Sequence, residues 1–239
     1  KRVKLADFDI VEITNLNRIR AKLPDVGESK LTVAAREVWE LDPFADIFFW
    51  KSGLNKKNIK EFITGKPPLN IMIDEMDDIG LKFLARKLCR RFRVPMLMAT
   101  DNGDSVILDI ERFDLEPTRP IFNGRVGENI LGSNPLTPAK WLKLAAKIID
   151  PQCMTPRLQD SLLEVGKHIT GAPQLGPTAA MAGAAVAFAV RRIANNAAMP
   201  SGRYLFGLEE KFEPGYMKKN AIKIRAKKTR LFNKQLGFN

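Results

Sequence analysis

The 239-residue sequence predicts an α/β fold: a three-layer sandwich in which helices cover a mostly parallel sheet, with antiparallel strands arriving late. Three observations predict it. Short apolar strands alternate with amphipathic helices through the N-terminal half, the pattern of a parallel sheet covered on both faces. Two of those strands end in acidic residues, near Asp7 and Asp74, at the C-terminal edge where ligands of such sheets bind. The segment Ser105 to Ile110 follows its predecessor across Asp101-Asn102-Gly103-Asp104, a turn that makes a hairpin and so reverses direction.

The elements follow in order. Leu5 to Asp9 is a strand running into a polar turn, Asn15-Leu16-Asn17-Arg18. It reads as the second strand of a nucleotide-binding fold, with the Gly-rich first strand-helix unit expected upstream of residue 1, so the chain is expected to be part of a larger protein. Lys30 to Leu41 carries Leu31, Ala34, Ala35, Val38 and Leu41 at helical spacing, and Asp42-Pro43 stops it. Asp46 to Trp50 is an aromatic-rich strand, Asn55 to Ile63 a short helix, and Leu69 to Ile73 a buried parallel strand leading to Asp74, Glu75, Asp77 and Asp78. A helix over Ile79 to Phe92 precedes a strand over Pro95 to Ala99. Beyond Pro120 come helices at Thr137 to Ile149 (Thr137 as N-cap), Arg157 to Ile169 and Thr178 to Asn195, with late strands at Arg203 to Leu208 and Ala221 to Arg225. No repeat or linker demands a separate domain, so residues 1–239 are expected to form one, with an α/β core over 1–120 and a helical and late-strand portion over 121–239.

Composition narrows the class. With 45% hydrophobic and 28% charged residues the chain is an ordinary globular protein. The least polar stretch, Gly171 to Val190, is rich in Ala, Gly and Pro and reads as a buried helix rather than a membrane span. No membrane partner is expected. The N-terminus lacks a secretory apolar core, which makes a cytoplasmic setting the expectation. Two cysteines, Cys89 and Cys153, cannot form a four-thiolate zinc site. Cys89 reads as core; Cys153, in a loop, is a minor candidate for an acyl-accepting thiol. His168, the only histidine, reads as a surface or capping residue. The net charge of +12 invites a nucleic-acid reading, but eight basic residues and no acidic one fall between Lys218 and Lys234, so most of the excess is local. A solvated strand and tail is the favoured account there, and nucleic acid is disfavoured.

The polar residues at strand ends and helix starts converge on a nucleoside triphosphate. Asp7, with Asp9 beside it, is placed to accept from ribose hydroxyls; Arg18 can grip phosphate oxygens through its planar fork; Lys30 adds a point charge near a leaving pyrophosphate. Asp77 supplies a hard oxygen ligand suited to Mg²⁺. Singly each has a plainer role as cap, turn residue or surface charge.

Together, Ala6-Asp7-Phe8-Asp9-Ile10-Val11-Glu12 with Asn15-Leu16-Asn17-Arg18, Gly27-Glu28-Ser29-Lys30, Leu41-Asp42-Pro43, Ile73-Asp74-Glu75-Met76-Asp77-Asp78 and Val94-Pro95 closely resemble the ThiF/MoeB family of ubiquitin-activating-type adenylyltransferases, whose domain is a Rossmann-like sandwich. The resemblance is strong over residues 3 to 110 and continues weakly through Pro173-Gln174-Leu175-Gly176-Pro177 and the Ala-rich helix. It implies ATP-dependent activation of a carboxylate, generally the C-terminus of a ubiquitin-like or sulfur-carrier protein, with ATP and Mg²⁺ as cofactors and commonly a homodimer. It places Asp7 at the ribose, Asn15, Arg18 and Lys30 at the phosphates and Asp77 at the Mg²⁺-dependent step, with Arg18 and Asp77 as the catalytic pair. The sequence departs from the family at Ile19 (usually Gln), Asp78 (usually Asn) and Lys82 (usually Arg), and it lacks paired Cys-x-x-Cys zinc ligands. A non-catalytic relative acting as an interaction module, or an NAD-binding oxidoreductase domain, are the alternatives.

Overall fold

The computed structural model describes residues 2–130 and 137–238. By contacts the chain separates into two compact units, residues 1–69 and 70–239.

In the first unit, strands β1 (Arg2–Ala6) and β2 (Asp46–Trp50) pair in parallel, with Arg2 opposite Asp46 and Ala6 opposite Trp50. Helix α1 (Lys30–Leu41) connects them, as a parallel pairing requires a crossover. It buries Leu31, Val33 and Ala35. Helix α2 (Ile59–Thr64) buries Ile59, Phe62 and Ile63, and Trp50 meets Phe62 edge to face at 5.0 Å.

The second unit is built on a four-stranded sheet in the order β3 (Met72–Ile73), β4 (Met96–Asn102), β5 (Ser105–Glu111), β6 (Gly202–Gly207). The first pair is parallel, across α3 (Ile79–Phe92); the next two are antiparallel. Gly103 turns the β4–β5 hairpin at φ +66°, where a side chain would be strained. Strand β5 is buried along its whole length. Leu97, Ala99, Val106, Leu108 and Ile110 pack with Ala182, Val186, Ala189 and Ile193 of helix α6 (Gly176–Ala194). Small Ala residues at that seam let helix and sheet approach closely. A satellite core joins α4 (Pro138–Ile149), α5 (Pro156–Glu164) and α8 (Lys219–Gln235) through Ala146, Met154, Leu158, Phe232 and Leu236. Between β6 and α8 lies the short helix α7 (Leu208–Phe212).

The mixed α/β class is as the sequence predicts, early pairings parallel and late ones antiparallel. Helices 30–41 and 79–92 match to the residue, and Thr137 caps α4, its Oγ1 accepting from Lys140 N at 3.3 Å. The expected strand Ala221 to Arg225 is a correction: it lies inside α8. Ile222 and Ile224 mimic period-two alternation, but no Gly or Pro interrupts residues 219–235, and Phe232 and Leu236 supply a helical apolar stripe that the satellite core buries. The helix expected to reach Ile169 ends at Glu164, shortly before Gly166 at φ +79°. The strand expected over Leu69 to Ile73 is only Met72–Ile73.

Candidate functional site

The first unit gathers most of the expected ligand-binding residues around the end of β1. The chain leaves β1 at Ala6, and Asp7 turns it: Asp7 Oδ1 accepts from Asp9 N at 2.8 Å, leaving its second carboxylate oxygen without a partner among the described residues. Val11 N donates to Glu28 O and Gly27 N to Val11 O, each at 2.8 Å, so segments 9–11 and 27–30 lie side by side. That pairing brings Lys30, the first residue of α1, onto Asp9: Nζ to Oδ2 is 2.7 Å. Lys30 is therefore already neutralised, and a phosphate must share it with Asp9 or displace that carboxylate.

Asn15 is buried and structural in its own turn, its Oδ1 accepting from Glu12 N at 3.0 Å. Arg18 is half-buried; its Nη1 donates to Thr14 O (2.6 Å) and Asn17 Oδ1 (2.9 Å). Nε and Nη2 have no partner among the described residues. Asp25 pairs with Arg36 at 2.5 Å. The backbone N–H of Lys22 and the Arg36 guanidinium hold the Asp25 carboxyl below the usual range.

In the second unit the loop after β3 sorts its four acids into different jobs. Asp74 is fully buried, with Lys82 Nζ at 3.2 Å and Arg86 Nη1 at 2.5 Å. Burial opposes its charge, but Arg86 and Lys82 outweigh burial and hold the carboxyl below its ordinary value. Asp78 caps α3, its Oδ1 accepting from Leu81 N at 2.9 Å. Glu75 keeps an exposed surface, yet its carboxylate end accepts from Ala99 N at 3.2 Å in a crowded recess; desolvation pushes it up to about 7, with Asp74 and Asp101 adding repulsion. Asp77 is exposed and its carboxylate makes no hydrogen bond or ion pair among the described residues.

Asp77 is thus the one acid of this loop with both oxygens available. No group of three or more His, Cys, Asp or Glu residues able to hold a metal occurs among the described residues. Mg²⁺ needs none: it commonly takes one or two carboxylates and completes its shell with water and nucleotide phosphates. The donor chemistry of Asp77 fits that use, as the unpartnered oxygen of Asp7 and the open donors of Arg18 fit a ribose and a phosphate.

Arg86 is the residue that sequence reasoning passed over. It is completely buried, ion-paired to Asp74 and, through Nε at 2.8 Å, to Glu111; that Nε–H is not aligned for a hydrogen bond. Its guanidinium stacks 3.9 Å from the Phe122 ring centre, and Phe122 N donates to Glu111 Oε1 at 2.6 Å. Desolvation pushes the Glu111 carboxyl up against the pull of Arg86. The signal was present: Lys82 and Arg86 stand one helical turn apart on the helix that follows the acidic strand end.

The cysteines offer no ready nucleophile. Burial pushes Cys89 up to about 12 and also raises Cys153, where Asp150 adds to the effect. A cavity of about 440 Å³ in the second unit is lined by Cys153, the minor thiol candidate, with Thr155, Glu209, Tyr216 and Arg225 among others, and includes none of Asp7, Asp9, Asn15, Arg18, Lys30 or Asp77.

The mixed sheet, with polar residues after β1 in the first unit and an acidic loop after β3 in the second, defines an α/β protein. The chain belongs to the ThiF family, whose model matches residues 1–235. It is 37% identical over 205 residues to the uncharacterized protein MT1398 of Mycobacterium tuberculosis (strain CDC 1551 / Oshkosh), covering 84% of this chain and 28% of that protein. It is 27% identical over 123 residues to a tRNA threonylcarbamoyladenosine dehydratase of Bacillus subtilis (strain 168), covering 48% of each, and 28% identical over 89 residues to a probable molybdopterin-synthase adenylyltransferase of Porphyra purpurea, covering 37% of this chain and 22% of that protein. The chain therefore spans about half or less of these relatives' lengths. Among solved structures, selenomethionine PaaA superposes with a TM-score of 0.57 at 15% identity, covering 87% of this chain and 62% of that one. E. coli MccB with MccA-N7isoASN gives 0.55 at 19% identity, covering 87% and 57%; the same protein with ATP gives 0.52 at 17%, covering 87% and 56%. At such identities these likenesses speak to the fold. No helix among the described residues is long and apolar enough to cross a membrane.

Proposed function

We propose that this chain is a nucleotide-binding domain of an ATP-dependent adenylyltransferase, which activates a carboxylate as its acyl-adenylate and releases pyrophosphate. The carboxylate is the C-terminus of a ubiquitin-like or sulfur-carrier protein, or another carboxylate. Residues 1–239 would form one ThiF-type domain, working as a homodimer in the cytoplasm. The observation that carries the reading is the turn at Asp7 just after β1, with Asp9 held to Lys30, in a chain matched by ThiF nearly throughout. A molybdopterin-synthase adenylyltransferase among the relatives and MccB solved with ATP support it.

In this reaction a carboxylate oxygen bonds to the α-phosphorus as the bond to pyrophosphate breaks, and negative charge grows on the departing oxygens. In the first unit, Asp7 would accept from ribose hydroxyls, with Asp9 beside it, and Asn15 fixes the turn that presents Arg18. Arg18 uses its free Nε and Nη2 on phosphate oxygens. Lys30 shifts from Asp9 toward the phosphates as their charge grows. In the second unit, Asp77 would hold Mg²⁺, which when bound supplies charge neutralisation at the phosphates.

ATP–pyrophosphate exchange by the native full-length protein tests the reading, with labelled pyrophosphate entering ATP when the carboxylate substrate is present. Asp77→Ala is expected to abolish exchange while shifting stability by no more than about 0.5 kcal/mol, since the side chain is exposed and unpaired. Normal exchange by that variant removes Asp77 from the mechanism. The non-catalytic alternative draws on Asp78 and Lys82, both already committed to structural partners; nucleotide binding without any exchange would favour it.

A further inference from the structure

Folding residues 219–235 into a helix, rather than a strand and tail, gives their charges a shared direction. In a strand successive side chains face opposite ways, but at 3.6 residues per turn Lys219, Lys223, Lys227, Arg230 and Lys234 fall within an arc of about 80°. All five are exposed, and none has an ion pair or hydrogen bond among the described residues. The other cations of α8 are used: Lys228 reaches Asp160 at 2.5 Å, and Arg225 lies 3.7 Å over the Tyr216 ring. The stripe therefore runs about 22 Å along the helix as a regular row of unneutralised charge. Like charges spaced i, i+4 destabilise a helix, so the row works against α8 until an anion faces it.

We propose that this face of α8 is a docking surface for duplex DNA, engaged through its phosphates and independently of base sequence. The row is complementary to a rigid polyanion with evenly spaced charge. Four of the five cations are Lys, a hydrated point charge suited to diffuse phosphate contact; protein interfaces deplete Lys and favour Arg. The buried apolar residues at the end of α8, Phe232 and Leu236, are spent in the satellite core, leaving three scattered aliphatics, Ile222, Ile224 and Leu231, exposed beside the cations, too little apolar surface for insertion into a lipid interface. No aromatic lies on the stripe to stack an unpaired base, which disfavours a single strand. The surface is independent of the nucleotide chemistry proposed above.

The test is fluorescence anisotropy of a labelled 20-bp DNA duplex titrated with the full chain across 50–200 mM salt. Five phosphate contacts predict a slope of about −4.5 in log affinity against log salt, a loss of about 500-fold over that range. Replacing all five residues with Gln, a good helix former, is expected to abolish binding; Lys223→Gln with Lys227→Gln should reduce the slope by about 1.8, with helicity checked by circular dichroism. Control changes at Lys56 and Lys57, in the first unit, should leave binding unchanged. The proposal is overturned if the duplex does not bind at 50 mM salt, if the five-residue variant binds equally well, or if only an RNA duplex or phosphatidylglycerol vesicles are retained.

Discussion

The polar group after β1 and the charged group around Arg86 are both rich in ion pairs, yet they are opposite kinds of site. Asp9 and Lys30 meet at the surface, and Asp7 and Arg18 keep unused hydrogen-bonding capacity. Arg86 is sealed from water between Asp74 and Glu111, beneath the Phe122 ring. Exposed pairs are worth little and can be exchanged for a ligand, whereas buried charges must be matched where they stand. The first region keeps polar groups that a ligand could take up; the second holds the β3 loop, β5 and the turn at Phe122 in register. Chemistry-bearing residue types alone do not separate the two roles. Solvent exposure does.

The contrast breaks most readily at Arg86. Arg86→Met leaves Asp74 and Glu111 buried without their shared cation and is expected to cost about 3–5 kcal/mol, read from the midpoint of urea unfolding. A loss below about 1 kcal/mol would mean that water reaches the network. Next in size is Asp78→Ala, which removes the cap of α3; about 1 kcal/mol should go, and a loss of exchange activity beyond that destabilisation would assign Asp78 a chemical role as well.

Glu75 sharpens the comparison through pH. Its carboxyl is raised from 4.5 to about 7, so the folded state holds a proton that the unfolded chain has released. Its contribution is full below about pH 4.5 and is lost as pH rises to about 7. Glu75→Gln should therefore flatten the fall in stability across that window, measured by thermal unfolding from pH 4 to 8; an unchanged slope relative to the parent would show the carboxyl to be solvated. A small stability effect is expected at Lys30→Ala, at most about 1 kcal/mol because the Asp9 pair is exposed, with a clear rise in the KM for ATP in pyrophosphate exchange. A large stability loss with unchanged KM would make Lys30 a structural residue.

Much of this was legible from residues. Leu31, Ala35 and Val38 announce α1; Ile79, Phe83 and Arg86 occupy one face of a helix whose start is marked by Asp78; Asn102-Gly103 announces the hairpin. The acids at 7, 9 and 77 were visible as strand-end residues, and their grouping into family motifs led to the proposal of a nucleotide site. Other features depended on neighbours distant in sequence. The helical state of 221–225 rests on Phe232 and Leu236 finding Met154 and Leu158. Asp74 and Asp77, three positions apart, look equivalent until burial separates them.

The sequence by itself determined the alternation of elements, the family and the candidate residues proposed for a nucleotide, because hydrophobic period, turn chemistry and motif spacing are local properties written along the chain. Only the tertiary structure decided which charges are spent and which are free. Arg86 is closed in by Asp74, Glu111 and Phe122, Lys30 is already held by Asp9, and five cations of α8 stand in a row without an ion pair among the described residues. That outcome depends on desolvation and on partners brought from distant positions, neither of which a linear pattern encodes.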